Sequence, residues 1–370
     1  MKNFCSQPWV GIDISPLGDF KPCCKFRDES VRGFQEYLSS DLLDEVRQSF
    51  LRDERHPGCI RCWKDEDAGI PSKRIMDDRM DPADIDSDLF KTVSLTFGNT
   101  CNLACRTCGS HSSSRWLQEI KSHGNYRDDI LYKHDKFYKD LGLWDDIADK
   151  LIEGAQIDIS GGEVFLSDIK EHAYFLSLLE GKTALTTLKY TTNGTFFPED
   201  AIIERWTKFK SVRVQISVDG VGKMFEYTRW PGVWSKFYEN IQRYKQLSAE
   251  HPHIELSLSH TVSVFNILDI PDFLMWCMKE KLPSPWMGMV YQPSEYSIRS
   301  LPKPIKREIT ARLEKLGDRI SSVLTYMNNE DLPDSHFQNL LPRIEFLDKH
   351  RNQSFDEACP RIAELIKKAH

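Results

Sequence analysis

At 370 residues, with 40% hydrophobic and 28% charged side chains, the chain has an ordinary globular composition, enough for one large α/β domain of roughly 200–250 residues and a smaller companion. A net charge of −7 argues against a dedicated nucleic-acid binder, which needs a basic face to displace counterions from phosphate. No run of 18 apolar residues reads as a membrane span, and Met1-Lys2-Asn3-Phe4-Cys5 lacks the apolar core of a signal peptide, so a cytoplasmic protein with no membrane partner is expected.

In that compartment the ten cysteines are expected as thiols. Eight lie at positions 5, 23, 24, 59, 62, 101, 105 and 108, while Cys277 and Cys359 stand alone. Clustered thiols in a reducing compartment read as metal ligands. The chain opens with a short strand, Trp9-Val10-Gly11-Ile12-Asp13-Ile14, a turn at Pro16-Leu17-Gly18-Asp19, and a return strand that reaches Cys23. Such a hairpin brings Cys5 and Cys23 together. Residues 41–52 carry Leu42, Leu43, Val46 and Phe50 at helical spacing. His56-Pro57-Gly58 then breaks the helix and delivers Cys59 and Cys62 on a tight knuckle. Four sulfurs from three segments suit zinc or a fully enclosed iron–sulfur cluster. The C-x2-C pair alone favours zinc; the cysteines further on shift the balance to iron–sulfur. Spacing does not choose between Cys23 and Cys24; Cys23 is preferred, with Cys24 read as a small buried hydrophobe. Residues 1–76 are thus an N-terminal module, 77–91 a polar linker, 92–295 the main domain and 296–370 a helical region.

From residue 92 apolar strands alternate with helical patterns. Strands are predicted over 92–97, 155–160, 185–191, 211–218, 254–262 and 286–291, with helices over 113–121, 166–179, 199–209, 233–247 and 270–281. This pattern implies a parallel sheet with right-handed crossovers, a partial barrel of six β/α units rather than a closed barrel of eight. The long connection 126–150 is expected to hold an extra helix. Parallel β/α folds bind ligands at the carboxyl ends of their strands. The first strand leads into Cys101, Cys105 and Cys108, spaced C-x3-C-x2-C. The second leads into Ser160-Gly161-Gly162-Glu163, the third into Thr191-Thr192-Asn193-Gly194, and the fourth into Ser217-Val218-Asp219-Gly220. Glycines admit a close ligand, Glu163 suits an amine, and Asp219 or Ser217 suits a ribose diol. Each motif is weak alone; four at successive strand ends are not. Three thiols on one loop are one short of ligating every iron of a four-iron cube.

These residues resemble the radical S-adenosylmethionine superfamily over about 92–291, through the C-x3-C-x2-C loop, Gly161-Gly162-Glu163, Thr192-Asn193-Gly194 and Ser217-Val218-Asp219-Gly220. The resemblance implies a [4Fe-4S] cluster on Cys101, Cys105 and Cys108, with S-adenosylmethionine chelating the open iron. It also implies Glu163 at the methionyl amine, and Ser217 and Asp219 near the methionyl or ribose groups. The residue before the last cysteine is often aromatic in that family and is Thr107 here, which puts the adenine contact in doubt. The N-terminal cysteines resemble a SPASM/twitch-type auxiliary domain, placed before the barrel rather than after it. That implies a second [4Fe-4S] cluster on Cys5, Cys23, Cys59 and Cys62. The implied chemistry is reductive cleavage of S-adenosylmethionine by an external low-potential reductant of the flavodoxin or ferredoxin type. The resulting 5′-deoxyadenosyl radical abstracts hydrogen from a peptide side chain or a small metabolite. Oxidation, crosslinking and epimerisation are all open as outcomes.

Several residues have two readings. Arg229 binds a cofactor or substrate carboxylate, or packs on Trp230 at the surface. His111 reads as a solvated loop residue, Cys277 as core within an apolar helix, and Met287 and Met289 as strand packing. His251 and His253 are expected to be exposed. Helical patterns over 305–323, 337–347 and 357–366, with Cys359 at a helix start, predict a cap over the open side of the barrel. Two other classes compete with the enzyme: a zinc-binding interaction module, and a non-catalytic iron–sulfur electron carrier.

Overall fold

Nine strands form one sheet in this computed structural model, which describes residues 2–15, 18–27, 30–67, 69, 71–76, 89–124, 141–166, 169–184 and 186–369. They are β1 (Gly11–Ile14), β2 (Asp19–Lys21), β3 (Val31–Arg32), β4 (Phe90–Thr96), β5 (Leu151–Ser160), β6 (Thr187–Thr192), β7 (Ser211–Ser217), β8 (Ile254–Val262) and β9 (Trp286–Met289). Their order is β3-β2-β1-β4-β5-β6-β7-β8-β9, and β4 to β9 run parallel, each beside the next. These six are the strands the sequence pattern predicts, and the α/β partial-barrel reading stands. The sheet does not close, because β3 and β9 are free edges among the described strands.

Alternation along the strands explains which side is covered. Val93, Leu95, Ile157, Ile159, Leu188, Tyr190, Val212, Val214 and Ile216 are buried, with Trp144, Phe175, Trp206 and Phe237 packed in the same core. Each such aliphatic side chain contributes about 1.5–3 kcal/mol by leaving water. The residues between them, Ser94, Asp158, Lys189 and Gln215, are polar and only half-buried. A parallel sheet covered on both faces reads as continuous apolar runs, so this alternation marks a concave face left open to polar contents.

The N-terminal hairpin forms as predicted, with Asp13 opposite Lys21 and Ile14 opposite Phe20; Pro16 and Leu17 of its turn lie outside the described residues. The pairing of β1 with β4 was not predicted. They run parallel, from Gly11 beside Thr92 to Ile14 beside Leu95. Ile12, Ile14, Phe20, Phe34 and Tyr37 thereby join the main core, while Phe4, Phe26, Val46, Phe50 and Trp63 form a small core of their own. The helix predicted over 41–52 is Asp41–Leu51, capped by the Ser40 hydroxyl, which accepts from the Leu43 amide. The tight knuckle at Cys59 and Cys62 is corrected: a short 3-10 turn, Pro57–Cys59, runs straight into helix Ile60–Asp67, so the two thiols sit one helical turn apart. Of the linker 77–91, residues 77–88 lie outside the described residues, and Phe90 already begins β4.

Of the long connection, 126–140 lie outside the described residues; the expected extra helix is Leu141–Asp149, whose Trp144 packs on Phe97 and Phe175. The C-terminal helices Lys303–Leu313, Asp318–Asn329, Leu340–Arg351 and Pro360–Ala369 build a second core with Val262 and Val290 beside β8 and β9. The predicted helix over 305–323 is divided at Gly317, whose φ of +59° no ordinary helix residue adopts. Among the described residues no helix is long and apolar enough to cross a membrane.

Candidate functional site

The carboxyl end of β4 sets the cysteine loop. Phe97 is locked among Trp144, His172 and Phe175, and Gly98, at φ +70°, turns the chain out of the sheet. Backbone bonds then hang the loop from its neighbours. The Ala104 amide donates to the Trp230 carbonyl (2.6 Å), the Arg106 amide to the Thr228 carbonyl (2.8 Å), and the Glu163 amide to the Thr100 carbonyl (2.8 Å). Side chains add to this: Trp116 Nε1 donates to the Cys105 carbonyl (2.8 Å) and the Ser113 hydroxyl to the Leu103 carbonyl (2.6 Å). At Gly162 a Cβ would lie 2.4 Å from the Thr100 carbonyl oxygen and 2.5 Å from that of Asn99. Only glycine lets the 161–163 turn press so close to the loop. Gly161 is less confined, with its nearest atom at 3.4 Å.

Cys101, Cys105 and Cys108 are free thiols, half-buried at the surface of this loop. Burial and the neighbouring Cys105 push Cys101 and Cys108 up to about 12. Burial also raises Cys105, which Arg229 partly offsets. Asn193 Nδ2 approaches Cys101 Sγ at 3.8 Å, and a guanidinium nitrogen of Arg229 approaches Cys105 Sγ at 4.0 Å. Arg229 is buried, not packed on the surface, and pairs with Asp219 at 2.9 Å. The other Asp219 oxygen accepts from the Thr261 amide at 2.9 Å. Glu163 is fully buried between this loop and the end of β6, accepting from Thr192 Oγ1 (2.6 Å), the Asn193 amide (2.7 Å) and the Phe165 amide (3.2 Å). Its carboxyl is raised by that burial.

The structure therefore gathers Cys101, Cys105, Cys108, Gly161, Gly162, Glu163, Thr192, Asn193, Asp219 and Arg229 at adjoining strand ends. Ser217 ends β7 half-buried, in register with Ser259. His111 lines an open cavity with Thr107 and Cys108. Cys277 and Cys359 are core residues, Met287 and Met289 pack against the second core, and His251 and His253 are half-buried rather than exposed.

Cys5, Cys23, Cys59 and Cys62 line one small cavity of about 20 Å³ with Phe26 and Phe50. Cys24 is exposed and does not line it. Burial and the nearby thiols push Cys23 and Cys59 well up. Four soft donors around one small cavity, which Lys25, Lys73 and Arg74 also line, suit the thiolate ligation of an iron–sulfur group. Among the described residues, no three His, Cys, Asp or Glu side chains converge as the ligands of a single ion must.

Sequence reasoning passed over Arg106. Inside the cysteine loop, fully buried, it stands 3.7 Å over the Tyr227 ring and pairs with Asp348. Arg351, on the same C-terminal helix, holds Glu119 through two bonds of 2.7 and 2.8 Å. A charged residue between ligands was the visible signal; the partners lie more than 200 residues away.

No protein-family model and no curated protein matches the chain. Solved structures do. The chain is similar to native anSMEcpe with bound AdoMet, at 15% identity and TM-score 0.44, over 69% of this chain and 66% of that one. It is also similar to Streptococcus suis SuiB bound to S-adenosylmethionine (14%, TM-score 0.39, 90% and 77%), and to SuiB bound to precursor peptide SuiA (13%, TM-score 0.39, 91% and 78%). The chain spans just under two thirds of the length of anSMEcpe.

Proposed function

We propose that this chain is a radical S-adenosylmethionine enzyme with the C-x3-C-x2-C loop at its centre. One observation carries the reading: three free thiols sit on one loop at the carboxyl mouth of six parallel strands, with Asn193 and Arg229 beside them. Cys101, Cys105 and Cys108 would hold three irons of a [4Fe-4S] cluster, leaving the fourth for the amine and carboxylate of S-adenosylmethionine. When bound, that pair supplies a 5′-deoxyadenosyl radical able to abstract hydrogen from an unactivated C–H bond.

The chain's own residues orient and insulate. Gly162 lets the 161–163 turn lie against the loop, and Glu163 ties that turn to Asn193. Glu163, Thr192, Asn193, Ser217 and Asp219 are the polar groups available to the cofactor's amine and hydroxyls, and Arg229 sets a compensated positive charge beside Cys105. The fully buried Phe97 side shields the loop from water. Cys5, Cys23, Cys59 and Cys62 would ligate an auxiliary [4Fe-4S] cluster with no open iron, suited to electron transfer or to shaping the pocket. A flavodoxin- or ferredoxin-type reductant supplies the electron in the cytoplasm. The substrate is a peptide side chain or a small metabolite, and the outcome an oxidation, a crosslink or an epimerisation.

Anaerobic reconstitution should load about eight irons per chain. Dithionite and S-adenosylmethionine should then yield 5′-deoxyadenosine, and Cys105→Ala should abolish it. Zinc without iron would instead support a structural module. Iron without 5′-deoxyadenosine under any reductant would support a carrier.

A further inference from the structure

We propose that the substrate carries an oxyanion, a carboxylate or a phosphoryl group, bound by Arg27 and Arg61 where two cavities meet in front of Cys108. The proposal rests on the enzyme reading above and names its substrate class. The inner cavity, about 710 Å³, runs from Thr107, Cys108 and His111 on the cysteine loop to the chain following β9. An outer cavity of about 490 Å³ lies between helix Ile60–Asp67 and the C-terminal helices. Arg27, Arg61 and Tyr291 line both. They form the threshold between the outer chamber and the thiol loop.

The two arginines are arranged for a ligand. Arg27 Nη1 donates to the carbonyls of Cys24 (3.1 Å) and Phe26 (2.8 Å), bonds that aim the group without removing its charge. Arg61 lies 5.3 Å over the Tyr291 ring, with the opposite charge of Asp65 on the same helix nearby but not in an ion pair with it. Neither forms an ion pair with a carboxylate among the described residues, although acidic residues outnumber basic ones, 56 to 49. The nearby acids have partners of their own: Asp67 pairs with Arg55, Glu330 with Arg299, and Asp65, which also feels the charge of Arg61, accepts from the Tyr291 hydroxyl. Two guanidinium forks at one threshold suit bidentate capture of a carboxylate or phosphoryl group. A molecule anchored there has one end in the chamber that Cys108 lines, while the outer chamber takes the remainder. Thr107, where the related family often has an aromatic, lines that inner chamber with a smaller side chain.

The test uses the anaerobically reconstituted full-length chain, without reductant or S-adenosylmethionine, so its result is independent of radical chemistry. Pyrophosphate and succinate are titrated by calorimetry into the wild type and into Arg27→Gln, Arg61→Gln and Arg307→Gln. Arg307 is exposed and lines neither cavity. At least one probe should bind, and each threshold variant should weaken it ten-fold or more while Arg307→Gln does not. Which probe binds separates a phosphoryl from a carboxylate substrate. Because Arg61 lies between Cys59 and Cys62, a second measurement uses the wild type alone. The bound probe should protect Arg27 and Arg61, but not Arg307, from phenylglyoxal. The proposal is overturned if neither probe binds or protects, or if Arg307→Gln weakens binding as much as the threshold variants do. In either case the assay for 5′-deoxyadenosine still judges the enzyme reading separately.

Discussion

At the scale of single residues, two adjacent glycines separate cleanly. A methyl group at Gly162 meets two backbone oxygens that cannot swing aside, so Gly162→Ala must displace the cysteine loop or the turn beneath it. We expect a loss of about 1–3 kcal/mol, as for overpacking, and reduced iron loading at Cys101, Cys105 and Cys108. Gly161→Ala, with 3.4 Å of clearance, should leave both near wild type. Urea midpoints and iron assays on the pair check this; equal behaviour would remove the close-approach argument. A second case is His172, fully enclosed with Nε2 2.7 Å from the Tyr190 hydroxyl and pushed by burial from 6.5 to about 3. Below pH 6.5 the unfolded chain takes up a proton that the folded one refuses, so its stabilising contribution is complete above pH 6.5 and lost as the pH falls toward 3. One proton gives a slope of about 1.4 kcal/mol per pH unit, which His172→Phe should remove from urea titrations over that range. The glycines were legible in the sequence as motif residues, though the atoms that demand them were not. His172 offered no pattern at all, since its burial comes from Phe97 and Tyr190 on two different strands.

Among elements, the C-terminal helix Leu340–Arg351 is the one whose importance sequence reading underrated. The helical patterns of that region were readable. Its ties to the cysteine loop were not, because periodicity says which face is buried and nothing about which distant charge it meets. Asp348 holds Arg106 between the proposed ligands Cys105 and Cys108, and Arg351 holds Glu119 on helix Ser114–His123, directly after the loop. Removing one member of a buried pair strands the other, so Arg106→Met should cost about 3–5 kcal/mol. The combined Arg106→Met and Asp348→Leu variant should recover part of that loss, because no isolated charge remains. A double-mutant cycle by urea denaturation measures the coupling; additive losses would mean that the pair is not energetically joined. The strands were read better than these ties, since period-two burial over four to ten residues is a local property.

For the whole molecule, the N-terminal hairpin and the barrel share hydrogen bonds and a core, a continuity that followed from no local pattern. Parallel pairing across 81 positions, Gly11 to Thr92, depends on two strands fitting side by side, and their composition hints at it only through Ile12 and Ile14. Breaking that seam should loosen both halves together. Ile12→Ala and Ile14→Ala each empty a fully packed site and should cost about 2–5 kcal/mol, with a single unfolding transition retained in calorimetry. Two separate transitions would show that the halves melt independently.

The same long-range seam bears on the order in which the protein matures. Cys5, Cys23, Cys59 and Cys62 fall within fewer than sixty positions of one another, so they are translated close together. The loop at Cys101–Cys108 is different, for its shape depends on Trp230, Thr228 and Asp348, and the last of these lies 242 positions after Arg106. Loop closure over such separations is slow compared with a local hairpin. The shape of the cysteine loop is therefore completed late: a nascent chain cannot hold Cys101, Cys105 and Cys108 in their final arrangement until Asp348 has been made.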